Sequence, residues 1–222
     1  MSEETARSTN DPAQKLHQFV AAEMRAGGDR PSIVQKLTAM GVEPTTAEQV
    51  VGTAYVQISA QVRRQQFTPS SLVPAIFGAA VAAVVGGGVW GALTIYTNYE
   101  VGYVAWGLGV LSGFSVVWLS GGRKGPPLQI IAVVSSILAI LIGKYLVFYS
   151  AIHDIATREA GADKAAALSA FSTEIMRLFV ERVSSLLTPY DALWVILALG
   201  SAWRIPKGSG IKLGPANPYR AE

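Results

Sequence analysis

The sequence predicts an all-α, polytopic membrane protein with four transmembrane helices, a small N-terminal helical segment and an amphipathic helix in an outer loop. Three observations predict this class. Of the 222 residues, 50% are hydrophobic and 15% are charged, whereas soluble domains typically have about 25% charged residues. Residues 72–149 are almost free of charge, while residues 1–70 are polar. The Lys and Arg residues lie beside the apolar runs, which is a membrane-topology pattern.

Four apolar windows are candidates for crossing a bilayer, which takes about 20 residues per helix. The first three contain at most one charge each, and the fourth is the weakest because Asp191 lies inside it. The predicted organisation is a helical segment 1–70, a membrane domain 71–205 with an outer loop 150–185, and a tail 206–222. Within the membrane domain, the predicted spans are 72–97, 101–120, 128–149 and 186–205.

The positions of the bases predict the orientation in the membrane. If all four windows cross, three groups of bases fall on one side, and Lys and Arg accumulate on the cytoplasmic side. The opposite loop mixes bases with acids, and the polar N-terminus does not look like a cleaved signal peptide. We therefore expect a multi-pass protein of the plasma (inner) membrane with both termini in the cytoplasm. The three groups are Arg63 and Arg64; Arg123 and Lys124; and Arg204, Lys207, Lys212 and Arg220.

Three charges fall near the outer ends of the predicted spans: Glu100, Lys144 and Asp191. One interpretation is a charge cluster that binds an ion, a proton or a substrate, since ionisable residues in spans suggest function. The other is structural. Both acids lie at helix N-termini and the base near a C-terminus, as the helix dipole favours, and a lysine can extend to the interface.

Glycines recur at four-residue spacing in the first two spans. Gly87 and Gly91 form one such pair, and Gly109 and Gly113 form another. Small residues at this spacing let helix backbones approach closely in lipid. Because the turn between spans one and two is short, we expect these spans to form a tight antiparallel hairpin. For the glycines themselves we expect plain helix packing, and a flexible hinge or a pore lining is the functional alternative.

The outer loop contains a segment with helical periodicity, 163–187. Its apolar residues share one broad face, which predicts an amphipathic helix on the membrane surface or on the bundle. His153, Asp154 and Glu159 precede it without a recognised ligand spacing, so no metal site is predicted. The apolar face consists of Leu168, Phe171, Ile175, Leu178, Phe179, Val183 and Leu186.

The N-terminal segment predicts three short helices, at about 11–26, 32–40 and 46–66, the last with a capping box from Thr45 to Glu48. The stretch "IVQKLTAMGVEPTTAEQVV", 33–51, resembles the first half of a ubiquitin-associated-like domain, whose first helix ends in a Met-Gly turn. The resemblance implies a protein-docking surface near Met40, Gly41 and Val42. The alternative is that this stretch simply forms a small helical core.

A second resemblance covers residues 83–148. The features that carry it are the Tyr-Glu-Val-Gly turn, the Ala-Trp-Gly-x-Gly span, the Gly-rich basic loop and the span ending in Gly-Lys-Tyr-Leu. Together they resemble a module of uncharacterised bacterial multi-pass membrane proteins, whose members commonly carry a small soluble domain ahead of it. The resemblance implies no catalytic residues.

The function expected from the sequence is non-enzymatic. The chain has no recognisable nucleophile–base pair, metal motif or phosphate-binding loop, and the absence of cysteine excludes thiolate chemistry. A net charge of +3 is too small to indicate nucleic acid as a partner. We expect no cofactor, and the lipid bilayer, a protein partner or membrane complex, or a homo-oligomer as partners. An accessory subunit or scaffold is the first expectation, and a small oligomeric transporter or channel is the alternative.

Overall fold

The computed structural model of the protein describes residues 12–99, 102–184 and 189–211. The described residues are all-helical and form two compact units, 12–66 with 208–211 and, from 67 to 207, the rest. Among the described residues, three helical segments are long and apolar enough to cross a membrane: Pro69–Thr97, Gly102–Leu119 and Pro126–Ala160. The chain is therefore a helical membrane protein with a separate small unit.

The small unit contains three helices: α1, Pro12–Arg25; α2, Arg30–Ala39; and α3, Pro44–Gln65. One face of each helix is apolar and these faces enclose a single core in which Ile33, Leu37 and Val51 are completely buried. An ion pair between Lys36 and Glu23, 2.5 Å apart, joins α2 to α1. Ile211, which follows the membrane domain in sequence, packs against this same core. Ile211 and the three N-terminal helices thus belong to one unit. Most of the predicted tail, 212–222, lies outside the described residues.

The predicted capping box from Thr45 to Glu48 is wrong. Helix α3 begins two residues earlier, at Pro44, and its N-cap is Glu43. The Glu43 carboxylate accepts hydrogen bonds from the Thr46 amide, at 3.2 Å, and from the hydroxyls of Thr45 and Thr46. Proline favours the first helical position because its φ angle is already helical and it has no N–H to satisfy. Pro44 therefore moves the start of the helix ahead of the threonines.

The larger unit contains the remaining helices. A 3-10 turn, Pro69–Ser71, leads into α4, Leu72–Thr97, and Asn98 ends α4 in the left-handed conformation with φ 52°. The other helices are α5, Gly102–Leu119; α6, Pro126–Ala160; α7, Ala162–Ala166; α8, Thr173–Arg182; and α9, Pro189–Arg204. The first three predicted spans correspond to α4, α5 and α6. The fourth corresponds to α9, which has only 16 residues, so a fourth crossing stays a prediction.

Helices α4, α5, α6 and α9 form a bundle with alternating directions. Gly78 of α4 faces Ser115 and Gly86 faces Leu108, so α4 and α5 are antiparallel. Lys144 of α6 pairs with Asp191 of α9, and Gln129 of α6 bonds Trp203 of α9, so these two helices are antiparallel as well. α9 lies beside the transmembrane part of α6 over about 15 residues, or about 22 Å.

The outer loop differs from the single helix predicted at 163–187. Two short helices, α7 and α8, replace it, and residues 185–188 lie outside the described residues. The helix is interrupted because Ser169 and Ser172 bond the local backbone: Ser169 Oγ accepts from the Phe171 amide, and Ser172 Oγ accepts from the Ile175 amide and caps α8. Such local bonds compete with a continuous helix. Phe171, predicted on the apolar face, is 87% exposed.

Candidate functional site

An ion pair lies inside the bundle, between α6 and α9. The Lys144 ammonium is 3.3 Å from a carboxylate oxygen of Asp191, and the two side chains are only 7% and 16% exposed. The structure therefore brings together two of the three predicted cluster residues. The third, Glu100, lies outside the described residues. Removal of either partner from a pair this buried is expected to destabilise the bundle, because the remaining charge would lose this ion pair while staying largely out of water.

The middle of the bundle contains a serine bridge that the sequence prediction missed. Ser135 of α6 is buried, and its hydroxyl donates to the carbonyl oxygen of Ala79 in α4 at 2.7 Å. It also bonds the hydroxyl of Ser112 in α5, at 3.1 Å. One side chain thus connects three helices. The available signal was the presence of serines inside otherwise apolar spans, where polar side chains tend to bond across helices.

Two further bonds attach α9 to its neighbours. The Gln129 side-chain amide of α6 donates to the carbonyl oxygen of Trp203 at 2.8 Å. The indole N–H of Trp106 in α5 donates to the Ser201 hydroxyl, also at 2.8 Å. With the Lys144–Asp191 pair, these contacts hold α9 at both of its ends. These polar side chains inside the bundle therefore make contacts between helices.

The four glycines singled out in the sequence lie at close contacts between helices. Gly87 and Gly91 of α4 face α6, where a Cβ on Gly87 would overlap the Ala139 carbonyl oxygen. Gly109 and Gly113 of α5 face Ala198 and Ile205, at α9 and just beyond it. Other glycines of α4, Gly78 and Gly86, form the contact with α5. Spacing alone identifies a small-residue face without identifying the helix that covers it.

The predicted docking surface lies at the turn between α2 and α3. Gly41 has φ +89°, a left-handed conformation that favours glycine, and a Cβ there would meet no atom within 4 Å. Met40 is 65% exposed, while Val42 is half-buried and packs against the core of the small unit. The turn therefore presents Met40 outward and uses Val42 for stability.

A cleft of about 260 Å³ lies between α4 and α6. Its one polar side chain, Ser135, donates its hydroxyl to Ala79, so the lining offers hydrocarbon contacts and little polar chemistry. The lining consists of Ile76, Ala79, Ala80, Ile130, Ile131, Val134, Ser135 and Leu138.

In the part of the chain that the structure describes, no three His, Asp or Glu side chains come together as ligands for a metal ion. Asp154 instead pairs with Arg158 one turn away, at 2.9 Å, and His153 lies beside the Tyr149 ring. Comparison with protein-family models, with curated proteins and with solved structures finds no match. The two sequence resemblances therefore stay predictions.

Proposed function

We propose that this chain is a non-enzymatic protein of the plasma (inner) membrane, in which a four-helix bundle anchors a cytoplasmic helical unit that recruits a protein partner. It would act as an accessory subunit or scaffold. The observation that supports the proposal is a difference between the two units. In the bundle, polar side chains bond neighbouring helices. The small unit has its own core and an exposed Met40.

Support for four crossings comes from the path of the chain. Residues before α4 and Ile211 after α9 belong to one compact unit. A soluble unit built from both ends of a membrane domain requires an even number of crossings. Helices α4, α5 and α6 are long and apolar enough for three crossings, so we assign the fourth crossing to α9. Its 16 residues extend about 24 Å, somewhat less than the hydrocarbon thickness of about 30 Å.

Anchoring is the role that best fits the bundle. Ser135, Gln129 and Trp106 each bond another helix, and glycines bring backbones into contact. Close packing and interhelical bonds favour one rigid arrangement. The cleft between α4 and α6 is apolar, which suits hydrocarbon chains better than a polar substrate.

The recruiting surface is assigned to the α2–α3 turn. An exposed methionine is flexible and polarisable, and such side chains are common at binding surfaces. The Met40 side chain is 65% exposed, and another apolar side chain of the same unit, Val56, is 68% exposed. Val56 provides a matched control, since it has similar exposure but lies in the middle of α3.

The experiment is purification of the full chain from its native membrane in mild detergent, with quantitative mass spectrometry of co-purifying proteins. The proposal predicts a stoichiometric partner that is lost with Met40→Glu and retained with Val56→Glu. A partner retained equally with both variants would place the docking surface elsewhere. Purification of a homo-oligomer alone would contradict recruitment.

A second candidate function rests on the buried Lys144–Asp191 pair. A charged pair enclosed by membrane helices is also the chemistry of ion and proton pathways, and the oligomeric transporter or channel would use it. Proton or cation flux in reconstituted vesicles tests this candidate. It requires flux in the wild type that Lys144→Met and Asp191→Asn abolish and that the exposed control Arg158→Gln leaves unchanged.

A further inference from the structure

Helix α8 has an apolar face that is wider than its contact with the bundle. Ile175 and Phe179 are one turn apart and only 7% and 9% exposed. The residues that follow each of them, Met176 and Val180, are 51% and 70% exposed. Residues four apart share a side of a helix, and consecutive residues are rotated by about 100°. The apolar face of α8 is therefore divided into a buried side and an uncovered side next to it.

Charged side chains occupy a different side of α8. Glu174, Arg177 and Glu181 follow one another at spacings of three and four residues, so they share one side of the helix. Arg177 pairs with Glu181 at 2.9 Å, and the two side chains are 79% and 55% exposed. Separation of an apolar side from a charged side is typical of helices that lie at a membrane interface.

Contacts with α6 fix the position of α8 and of the chain that leads into it. The Tyr149 hydroxyl donates to the carbonyl oxygen of Leu168 at 2.9 Å, and the Tyr145 hydroxyl donates to the carbonyl oxygen of Ala170. The Phe179 ring of α8 packs on the Tyr145 ring, with the ring centres 5.1 Å apart. The end of the α7–α8 connection and α8 itself are thus held against one short stretch of α6.

That stretch of α6 lies where the apolar run of α4 approaches its end. A Cβ on Gly91 of α4 would lie 3.0 Å from Leu146 of α6, and α4 continues from Gly91 to Thr97 for a further distance of about 9 Å. The whole of α4 extends about 39 Å, whereas the hydrocarbon core is about 30 Å thick. Tyr96, in the last turn of α4, is 89% exposed, as expected for an aromatic side chain at the interface. Helix α8 is therefore held at the depth where hydrocarbon meets headgroups.

We propose that α8 is an interfacial anchor, whose uncovered side inserts Met176 and Val180 among the lipid acyl chains of the adjacent membrane leaflet. Phe171 follows Ala170 directly, so it lies at the same depth, and its 87% exposed ring adds to the apolar contact. Contacts with α6 position α8, and the lipid contact keeps it on the membrane surface. The inference requires that α6 crosses the membrane. It depends neither on a fourth crossing nor on a partner of the small unit, so it can fail or succeed independently of the proposed function.

The test measures what surrounds each side of α8 in the full chain, reconstituted in vesicles of phosphatidylcholine, which carries no net charge. Single cysteines in the cysteine-free chain carry a bimane fluorophore on the uncovered apolar side, at Met176→Cys or Val180→Cys. The matched controls, Glu174→Cys and Arg177→Cys, carry it on the charged side of the same helix. Phosphatidylcholine with brominated acyl chains quenches the fluorophore from within the membrane, and iodide quenches it from water. All of these positions are exposed, so the labelled variants should fold.

The brominated lipid should quench the fluorophore on the apolar side more strongly than iodide does, and the controls should show the reverse. Because burial of one apolar side chain shifts an equilibrium by roughly tenfold or more, the ratio of lipid quenching to iodide quenching should differ between the two sides by about tenfold. Equal ratios on the two sides would overturn the inference, since α8 would then lie wholly in water or wholly in lipid. Protection of the apolar side from both quenchers would also overturn it, because a protein partner or a second copy of the chain would then cover that side.

Discussion

The Lys144 ammonium and an Asp191 carboxylate oxygen lie 3.3 Å apart, although the two residues are 47 positions apart in sequence. The contact joins α6 to α9 near the N-terminal end of α9. Gln129 and Trp203 join the same two helices near the C-terminal end of α9. Helix α9 is therefore fixed along α6 by two polar contacts, with Gly109 packed against its backbone between them.

If the ion pair is a structural contact, loss of one charge should destabilise the bundle. Asp191→Asn leaves a buried ammonium without this partner, and we expect about 3 kcal/mol of destabilisation. The double variant Lys144→Met with Asp191→Leu should recover most of that loss, because it removes both buried charges. Thermal unfolding in detergent checks this. The exposed Asp154–Arg158 pair is the control. Asp154→Asn should lower the free energy of unfolding by less than about 0.5 kcal/mol. A double variant as unstable as the single one would contradict the account.

Two glycines of α5 provide a matched test of helix packing. A Cβ on Gly109 would overlap the backbone of Ala198, whereas a Cβ on Gly107 would meet no atom within 4 Å. Gly109→Ala should therefore displace α9 and cost about 2 kcal/mol, while Gly107→Ala should be neutral or slightly stabilising. The unfolding midpoints of both variants in one detergent decide this; equal midpoints would mean that α9 does not pack as described.

Phe179 tests how α8 is held. Its ring lies 5.1 Å from the Tyr145 ring and 5.5 Å from the Phe148 ring, both on α6. Phe179→Ala should release α8, since burial of an aromatic side chain commonly contributes about 3 kcal/mol or more. Protease cleavage between α7 and α8 should then become at least tenfold faster. Val180→Ala, at a neighbouring position that is 70% exposed, should leave the cleavage rate unchanged.

The small unit should lose stability in acid. Hydrogen bonds from the Thr45 and Thr46 hydroxyls lower the pKa of Glu43 below its ordinary value of 4.5. Bonds from Ser32 likewise lower the pKa of Asp29 below 3.8. A lowered pKa means that the folded state favours the ionised carboxylate. Its stabilisation is therefore complete above the ordinary value and is lost as the pH falls through the lowered pKa.

The corresponding variant is Glu43→Gln, which should lower the unfolding temperature of the small unit at pH 7. That difference from the wild type should shrink as the pH falls below 4.5. Glu48→Gln, in the same helix, controls for the loss of one negative charge. A difference that stays constant from pH 7 to pH 3 would exclude Glu43 as an ionised cap.

The sequence allowed the helices to be predicted better than their contacts. The predicted span 72–97 coincides with α4. A long apolar run without charge forms a helix in a membrane, because a helix satisfies all of its own backbone hydrogen bonds. The partner of Gly109 could not be predicted, since spacing identifies a face and says nothing of which helix covers it. The break before α8 was missed because Ser169 and Ser172 bond locally, against the apolar periodicity. Lys144 and Asp191 were grouped by depth, but Glu100 cannot be compared, as it lies outside the described residues.

The most direct test of the account is the number of crossings, measured by labelling single cysteines in the cysteine-free chain with a membrane-impermeant reagent. Suitable exposed positions are Ala60 in the small unit, Ala167 between α7 and α8, and Ser209 after α9. The account predicts that Ala60→Cys and Ser209→Cys are labelled from the cytoplasmic side and Ala167→Cys from the opposite side. Labelling of Ser209→Cys and Ala167→Cys from the same side would contradict a fourth crossing and the bundle built upon it.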